Sequence, residues 1–419
     1  MSLLPSRRLT VDDMCKWRSD QWIVCQLGAR ENYMIGRALA SSGRLGALIT
    51  DAWHAPRSLP ARYIGRLRDR YHPQLAEARI ETPGYKGITD ELYERCLGPG
   101  GWRSIINRNV RFEEVAAGQL RTLVASGVPC DTVFAYSYAA AGIFRAARAM
   151  GLTTVLGQID PGPLEDEIVG TLYRDAGQSS RYERIPDDYW LRWREEIALS
   201  DVVIANSVWS KVLLVRAGVP EAKISIVPLA YDTPVDVGVR ARSLPDAFTS
   251  ERPLRLLFLG QVTLRKGIGP LLAALQRMPR VPLQLDIVGA LQVDIPDSSR
   301  NDPRIALHGA APRSAVRRHY EAADLFVFPT LSDGFGLTQL EALAHGLPVL
   351  TSRNCGEVIT HDHDGFVLDE VTSDAIESVL RQLLEHPARL RGWTERARIP
   401  CAFSQEALAR ALSRLRMEQ

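Results

Sequence analysis

Two doubly wound α/β domains are the architecture this sequence predicts, and three observations predict it. Short apolar runs alternate with helical stretches along most of the chain, the signature of a mainly parallel sheet. The alternation comes in two series, separated around Pro228–Pro253 by a stretch where Pro, Asp, Gly and Ser loosen the pattern. At 419 residues the chain is also too long for one ordinary hydrophobic core.

The first series opens with residues 22–28, WIVCQLG, a buried strand ending in a glycine turn, and continues as a helix from Tyr33 to Ala40. Strand-like runs follow at Leu45–Thr50, Thr132–Tyr136, Thr153–Gln158 and Val202–Ala205. Residues 187–199 put Trp190, Trp193 and Ile197 on one helical face, which reads as core packing rather than a substrate platform. The second series runs through Leu254–Gly260, Leu283–Gly289, Ile305–Gly309, Leu325–Pro329 and Pro348–Thr351, and the tail from Ser373 to Met417 is helical and charged. The expected division is a Rossmann-like N-terminal domain over 1–232, a linker over 233–252 and a Rossmann-like second domain over 253–398. A C-terminal helix over 399–419 is placed to pack back on the first domain. Domains of this class face each other across a cleft, and their ligands lie at the carboxyl ends of the strands.

Composition narrows the function. Hydrophobic residues make up 46% and charged residues 24%, as in an ordinary globular enzyme. A net charge of +2 creates no long-range field for nucleic acid or anionic lipid. Arg62, Arg66, Arg68 and Arg70 cluster on an expected helix and read as a solvated face. No apolar run approaches a membrane span, and the first twenty residues lack the core of a signal peptide. Six cysteines (15, 25, 96, 130, 355 and 401) are scattered with no C-x-x-C pair. That argues against a zinc site or disulfide framework and for a reducing compartment, so a cytoplasmic location is expected.

The chemistry concentrates in Phe328 to Val349, FPTLSDGFGLTQLEALAHGLPV. It places Asp333 in a glycine-rich loop and Glu341 one turn into the following helix. Gly334 and Gly336 let the backbone approach a ligand. Leu337, Leu340 and Ala344 share one face from Thr338 on, and Gly346 with Pro348 stops the helix. A helix N-terminus opening from such a loop suits an anion, while flanking carboxylates suit hydroxyls. Together they suit a nucleotide sugar. The loop after strand 254–260 reads Gln261-Val262-Thr263-Leu264-Arg265-Lys266-Gly267. Lysine is scarce, 5 residues against 46 arginines, so a Lys-Gly pair at a strand end stands out. Lys266 and Arg265 could neutralise a diphosphate without a metal, one as a compact charge and one as a fork.

These stretches resemble the second domain of the retaining GT-B glycosyltransferases, in particular glycosyltransferase family 4 (the glycosyl transferases group 1 domain). The matching residues are Phe258-Leu259-Gly260 with Lys266-Gly267, then Asp333-Gly334-Phe335-Gly336 through Glu341-Ala342 and Gly346-Leu347-Pro348-Val349. Ala205-Asn206-Ser207, Ile226-Val227-Pro228 and Cys355-Gly356-Glu357 add to the likeness, which covers roughly residues 200–370. It implies a hexosyltransferase-type enzyme that moves a sugar from a nucleotide-diphosphate sugar to an acceptor, with retention and without a metal or other cofactor. Lys266 and Arg265 would contact the donor diphosphate, and Glu341 the ribose hydroxyls. Asp333 with the backbone of Gly334, Phe335, Gly336, Leu337 and Thr338 would face the donor sugar and phosphates. The acceptor, whether glycan, lipid-linked or small molecule, is left open.

Three positions depart from the family pattern. Asp333 stands where Glu is usual, shortening the side chain by about 1.5 Å. Gln261 stands where many members have Arg, with Arg265 beside the lysine as a substitute charge. No His follows the first-domain strand; the stretch there is Gln158-Ile159-Asp160-Pro161-Gly162, so Gln158 or Asp160 would meet sugar or acceptor, or Asp160 caps the loop. The family's glycine loop after the first strand corresponds to Gly28-Ala29-Arg30-Glu31, with Gly28 near the donor phosphates and Arg30 on the acceptor side or solvated. His361-Asp362-His363-Asp364 mimics a metal site but reads as a polar surface turn. Competing readings are an inactive sugar- or nucleotide-binding regulator on the same scaffold, an epimerase, or a phosphorylase.

Overall fold

The computed structural model describes residues 20–55, 70–84, 100–233 and 242–415. They fall into two compact units, one drawn from Met1–Gly157 and Leu191–Val203, the other from Gln158–Trp190 and Ile204–Gln419. Each expected strand run forms a strand.

The first sheet contains β1 (Trp22–Gln26), β2 (Leu45–Thr50), β3 (Ile80–Glu81), β4 (Thr132–Tyr136), β5 (Thr153–Gly157), β6 (Val202–Ala205) and β7 (Ile224–Ile226). Their order is β3-β2-β1-β4-β5-β6-β7. β1 runs parallel to β2 from Trp22↔Leu45 and to β4 from Trp22↔Thr132. Every residue of β1, β4 and β6 is buried, which is why these runs read as continuously apolar. The helices between these strands are α1 (Met34–Ser41), α2 (Gly101–Ala125), α3 (Ala141–Ala149), α4 (Pro163–Asp175), α5 (Asp187–Leu199) and α6 (Val208–Arg216). On α5, Trp190, Trp193 and Ile197 are all buried.

The second sheet contains β8 (Leu254–Leu259), β9 (Leu283–Val288), β10 (Ile305–Gly309), β11 (Leu325–Phe328), β12 (Val349–Ser352) and β13 (Gly365–Leu368), in the order β10-β9-β8-β11-β12-β13. Its helices are α7 (Ile268–Gln276), α8 (Asp297–Arg300), α9 (Arg313–Ala322), α10 (Thr338–Ala344), α11 (Ser373–Glu385), α12 (Pro387–Arg396) and α13 (Gln405–Arg414). Both sheets are therefore Rossmann-like, and in each the strand order reverses beside the first strand. In the second sheet that switch point lies between β8 and β11, so the loops leaving these two strands flank one crevice at their carboxyl ends.

Some local details differ from the sequence reading. The helix expected from Tyr33 starts at Met34, because Glu31, Asn32 and Tyr33 hold left-handed φ values of 51°, 51° and 60°. The helical tail comes as three helices, broken at Pro387 and again around Pro400. β3 and β7 are two and three residues long, too short to show a period, and β13 is only partly buried at its two central residues.

Residues 242–252 pack into the second unit. Arg242 donates to the backbone oxygens of Tyr320, Glu321 and Ala323 at the end of α9, and to those of His345 and Gly346 at the end of α10. A guanidinium there satisfies carbonyls that no helix bond can reach. Arg252 grips Asp324 with two bonds of 2.7 Å. Of the arginine cluster, Arg62, Arg66 and Arg68 lie outside the described residues, and Arg70 is paired with Asp51 at 2.9 Å. Cys15 and Cys96 also lie outside them; Cys25, Cys130, Cys355 and Cys401 are free thiols. No helix among the described residues is long and apolar enough to cross a membrane.

Candidate functional site

The two loops at the second switch point are stitched together backbone to backbone. After β8 the chain turns through Gly260 into a 3-10 turn, Leu264–Lys266, which ends at Gly267 with φ 78°. A Cβ on Gly267 would lie 1.8 Å from the carbonyl oxygen of Pro329, just beyond β11. The Arg265 carbonyl accepts from Leu331 N–H at 2.8 Å and from the Thr330 hydroxyl at 3.0 Å.

This stitching brings Arg265, Lys266 and Asp333 together. Lys266 Nζ donates to Asp333 Oδ2 and also lies 4.6 Å from the centre of the Phe328 ring. Arg265 Nη1 donates to the Ser332 carbonyl at 2.7 Å and sits 3.4 Å from Asp333 Oδ2. Burial, with the Arg265 charge second, pulls the Lys266 amine down to about 7. An anion placed here would relieve that penalty.

A fourth charged group completes the cluster: Glu165, in the first turn of α4. Its Oε1 accepts from the Ser332 hydroxyl at 2.7 Å and lies 3.4 Å from Arg265 Nη1. Trp209 Nε1 donates to the same Ser332 hydroxyl at 3.0 Å. Burial raises the Glu165 carboxyl above its ordinary range, with Arg265 acting against it. Sequence reasoning missed Glu165, Ser332 and Trp209, because an acidic residue in a first helical turn reads as a partner of the helix dipole.

The glycine loop is equally constrained. Asp333 Oδ1 accepts from Phe335 N–H at 3.2 Å, and the Gly334 carbonyl accepts from the Ser207 hydroxyl at 2.7 Å. Gly336 has φ 79°, and a Cβ there would meet the Phe328 ring at 2.6 Å. α10 follows at once from Leu337. Its first turn has no side-chain cap, and the Thr338 hydroxyl is buried without a hydrogen-bond partner among the described residues. On α10, Glu341 Oε2 accepts from the Tyr320 hydroxyl at 2.8 Å. Tyr320 is itself buried, stacked on His345 with 5.0 Å between ring centres. Burial and then the Glu341 charge hold its phenol well above the usual value.

The remaining expected residues sort into two places. Asp160 comes close to the glycine loop: a Cβ on Gly334 would lie 2.7 Å from the Ile159 carbonyl and 3.3 Å from the Asp160 Cα. Asp160 Oδ1 accepts from Gly162 N–H at 2.9 Å and from Gln158 Nε2 at 3.3 Å, a loop-capping geometry ahead of α4. Gly28 and Arg30 belong to the first unit, at its own switch point. Gly28 has φ 82° and donates to Asp51 Oδ1 at 2.8 Å, while the Arg30 guanidinium lies 5.6 Å from the Tyr136 ring centre. In the turn at 361–364, Asp362 pairs with Arg389 and Asp364 Oδ1 accepts from Thr360 N–H.

Residues 253–386 match the family model described as glycosyl transferases group 1. The amylovoran biosynthesis glycosyltransferase AmsK of Erwinia amylovora is 26% identical over 220 residues, 48% of this chain and 52% of that protein. The chain thus spans about half the length of the curated relatives it matches. Among solved structures, Anabaena Alr3699/HepE in complex with UDP superposes with a TM-score of 0.60 at 14% identity, covering 95% of this chain and 100% of that one. The catalytic domain of Starch Synthase IV from Arabidopsis thaliana, bound to ADP and acarbose, gives 0.62 at 14% identity, covering 94% and 98%. The fold is that of the GT-B glycosyltransferases, two parallel-sheet Rossmann-like domains.

Proposed function

We propose that this protein transfers a hexosyl unit from a nucleotide-diphosphate sugar to an acceptor, with retention of anomeric configuration and without a bound metal. The observation that carries the reading is the pairing of Lys266 and Arg265 at the switch point, opposite Asp333 and beside the glycine loop. A transferase of this kind has one main electrostatic task, stabilising the charge that grows on the departing diphosphate. Lys266 leaves Asp333 for that diphosphate, Arg265 supports it, and the uncapped first turn of α10 faces the remaining phosphate oxygens. Asp333, freed from the lysine, accepts from hydroxyls of the donor sugar. The base is left open, since one fold neighbour is a UDP complex and another an ADP complex.

A thermal-shift panel with UDP, GDP, ADP and TDP tests the reading. One nucleotide at about 100 times its dissociation constant adds roughly 2.7 kcal/mol of stability, a clear midpoint shift. With the matching sugar donor, proton NMR should show the product anomer retained and turnover unchanged in EDTA. A panel without any shift would leave the scaffold without its donor site.

In this reading Glu341 accepts from the ribose hydroxyls, and Tyr320 ties down one of its oxygens while the other stays available. Tyr320→Phe is therefore expected to weaken a ribonucleotide by about 2–12-fold, the net worth of one ordinary intramolecular hydrogen bond because Tyr320 acts only through Glu341, and a 2′,3′-dideoxy analogue little. Equal losses for both ligands would reduce Tyr320 to a packing residue.

A further inference from the structure

The cluster at the second switch point is charge-balanced before any donor arrives. Arg265 and Lys266 face Asp333 and Glu165, and none of the four side chains is more than 23% exposed. A nucleotide sugar brings one negative charge on each of its two phosphates. Like charges brought within about 4–6 Å of one another in a poorly solvated site disfavour the ionised forms, so the site gains a proton, either on a carboxylate or on the Lys266 amine that burial holds down.

The hydrogen bonds distinguish the two carboxylates. Asp333 is held by Lys266 and the Phe335 N–H, with Arg265 close by. Glu165 has the Ser332 hydroxyl at 2.7 Å, while Arg265, at 3.4 Å, spends its shorter bond on the Ser332 carbonyl. When a diphosphate draws Arg265 away, Glu165 retains only a hydroxyl. A carboxylic acid still satisfies that hydroxyl through its carbonyl oxygen, although the carboxylate accepts more strongly, so one hydroxyl alone opposes protonation only in part.

We propose that Glu165 is the counter-charge of this site: it holds Arg265 and Ser332 in place without donor, and takes one proton from solvent when a nucleotide-sugar diphosphate binds. This rests on the donor-site reading above. The groups that face Glu165 are Asp160 ahead of its own helix, Arg265 and Lys266 from the loop after β8, Ser332 and Asp333 from the loop after β11, and Trp209 from α6 through Ser332. Burial and the Asp160 charge already favour its neutral form, and Arg265 is the main opposing influence, so losing Arg265 to a ligand tips the balance.

Calorimetric titration of the full chain with UDP-glucose and with ADP-glucose, at pH 7.5 in two buffers of different ionisation heat, counts the protons. Neither diphosphate titrates near neutral pH, so the count belongs to the protein. Wild type should take up close to one proton per donor bound, and its affinity should fall up to tenfold per unit as pH rises between the pKa of Glu165 without donor and its higher pKa with donor bound. Glu165→Gln should take up almost none and show a flatter profile. Lys266→Arg, which keeps a cation that cannot deprotonate, should retain the uptake. Ser332→Ala strips a donor that favours the ionised form, so the falling limb of affinity should move to higher pH. Wild-type uptake in Glu165→Gln, or its loss in Lys266→Arg alone, overturns the assignment and gives the proton to another group. Binding with no uptake in wild type overturns it while leaving the donor site intact. Failure of wild type to bind either sugar nucleotide or any nucleotide diphosphate overturns the donor-site reading itself, and the inference with it.

Discussion

Lys266→Ala is expected to lower turnover by about 10²–10³-fold and to abolish the thermal shift given by the nucleotide diphosphate. The first figure is the usual effect of removing one group aimed at charge that develops in the transition state. Two features of this site push toward the upper end. The amine is the compact cation of the pair, whereas Arg265 is already committed to the Ser332 carbonyl and to two carboxylates. Its removal also uncovers Asp333, which would then repel the phosphate that Lys266 used to attract. The second effect has its own signature. Asp333→Asn in the Lys266→Ala background should recover part of the nucleotide affinity, although each single change lowers activity, because the two side chains are coupled. The measurements are kcat and KM for the sugar donor and the nucleotide-dependent midpoint in all four variants. Wild-type turnover and an undiminished shift in Lys266→Ala would remove the diphosphate from this site.

The parts of the site that were legible in the sequence are those whose chemistry is local. Gly334 and Gly336 announce a backbone conformation, and Asp333, Glu341, Arg265 and Lys266 sit within a few residues of the strand ends that present them. The parts that were not legible are made by contacts across long stretches of chain. Glu165 meets Ser332 across 167 positions and Trp209 meets it across 123, and no spacing rule reaches that far. Tyr320 and Glu341 are only 21 apart, but one ends a helix before β11 and the other opens a helix after it. Their approach is decided by how α9 and α10 pack around that strand, which apolar periodicity does not encode. The same limit explains the strands. β1, β4, β6 and β11 show as apolar runs because both faces are covered, whereas β3 and β7 are too short for any pattern to emerge and β13, as long as β11, is only partly buried at its two central residues.

Gly267→Ala is expected to cost about 4 kcal/mol of stability, at the edge of what single substitutions do, and to erase nucleotide binding in whatever folds. Part of the cost is conformational: a φ of 78° is left-handed, which disfavours a residue with a Cβ by about 1–2 kcal/mol. The rest is steric. The new Cβ would fall 1.8 Å from the Pro329 carbonyl oxygen and 2.8 Å from its carbon, and backbone has no rotamer by which to withdraw. The loops after β8 and β11 must then separate, taking Lys266 and Arg265 away from Asp333 and Ser332. Stability and function therefore fall together, through one contact. Gly269→Ala is the matched control two residues on, inside α7. Its Cβ would meet nothing closer than Leu264 Cδ2 at 3.9 Å, and Ala is favoured over Gly in a helix by about 1 kcal/mol. The midpoint should drop by roughly 10 °C in Gly267→Ala and hold or rise slightly in Gly269→Ala. If Gly267→Ala melts like wild type and still binds nucleotide, the two loops do not meet backbone to backbone, and the geometry that unites Lys266 with Asp333 is wrong.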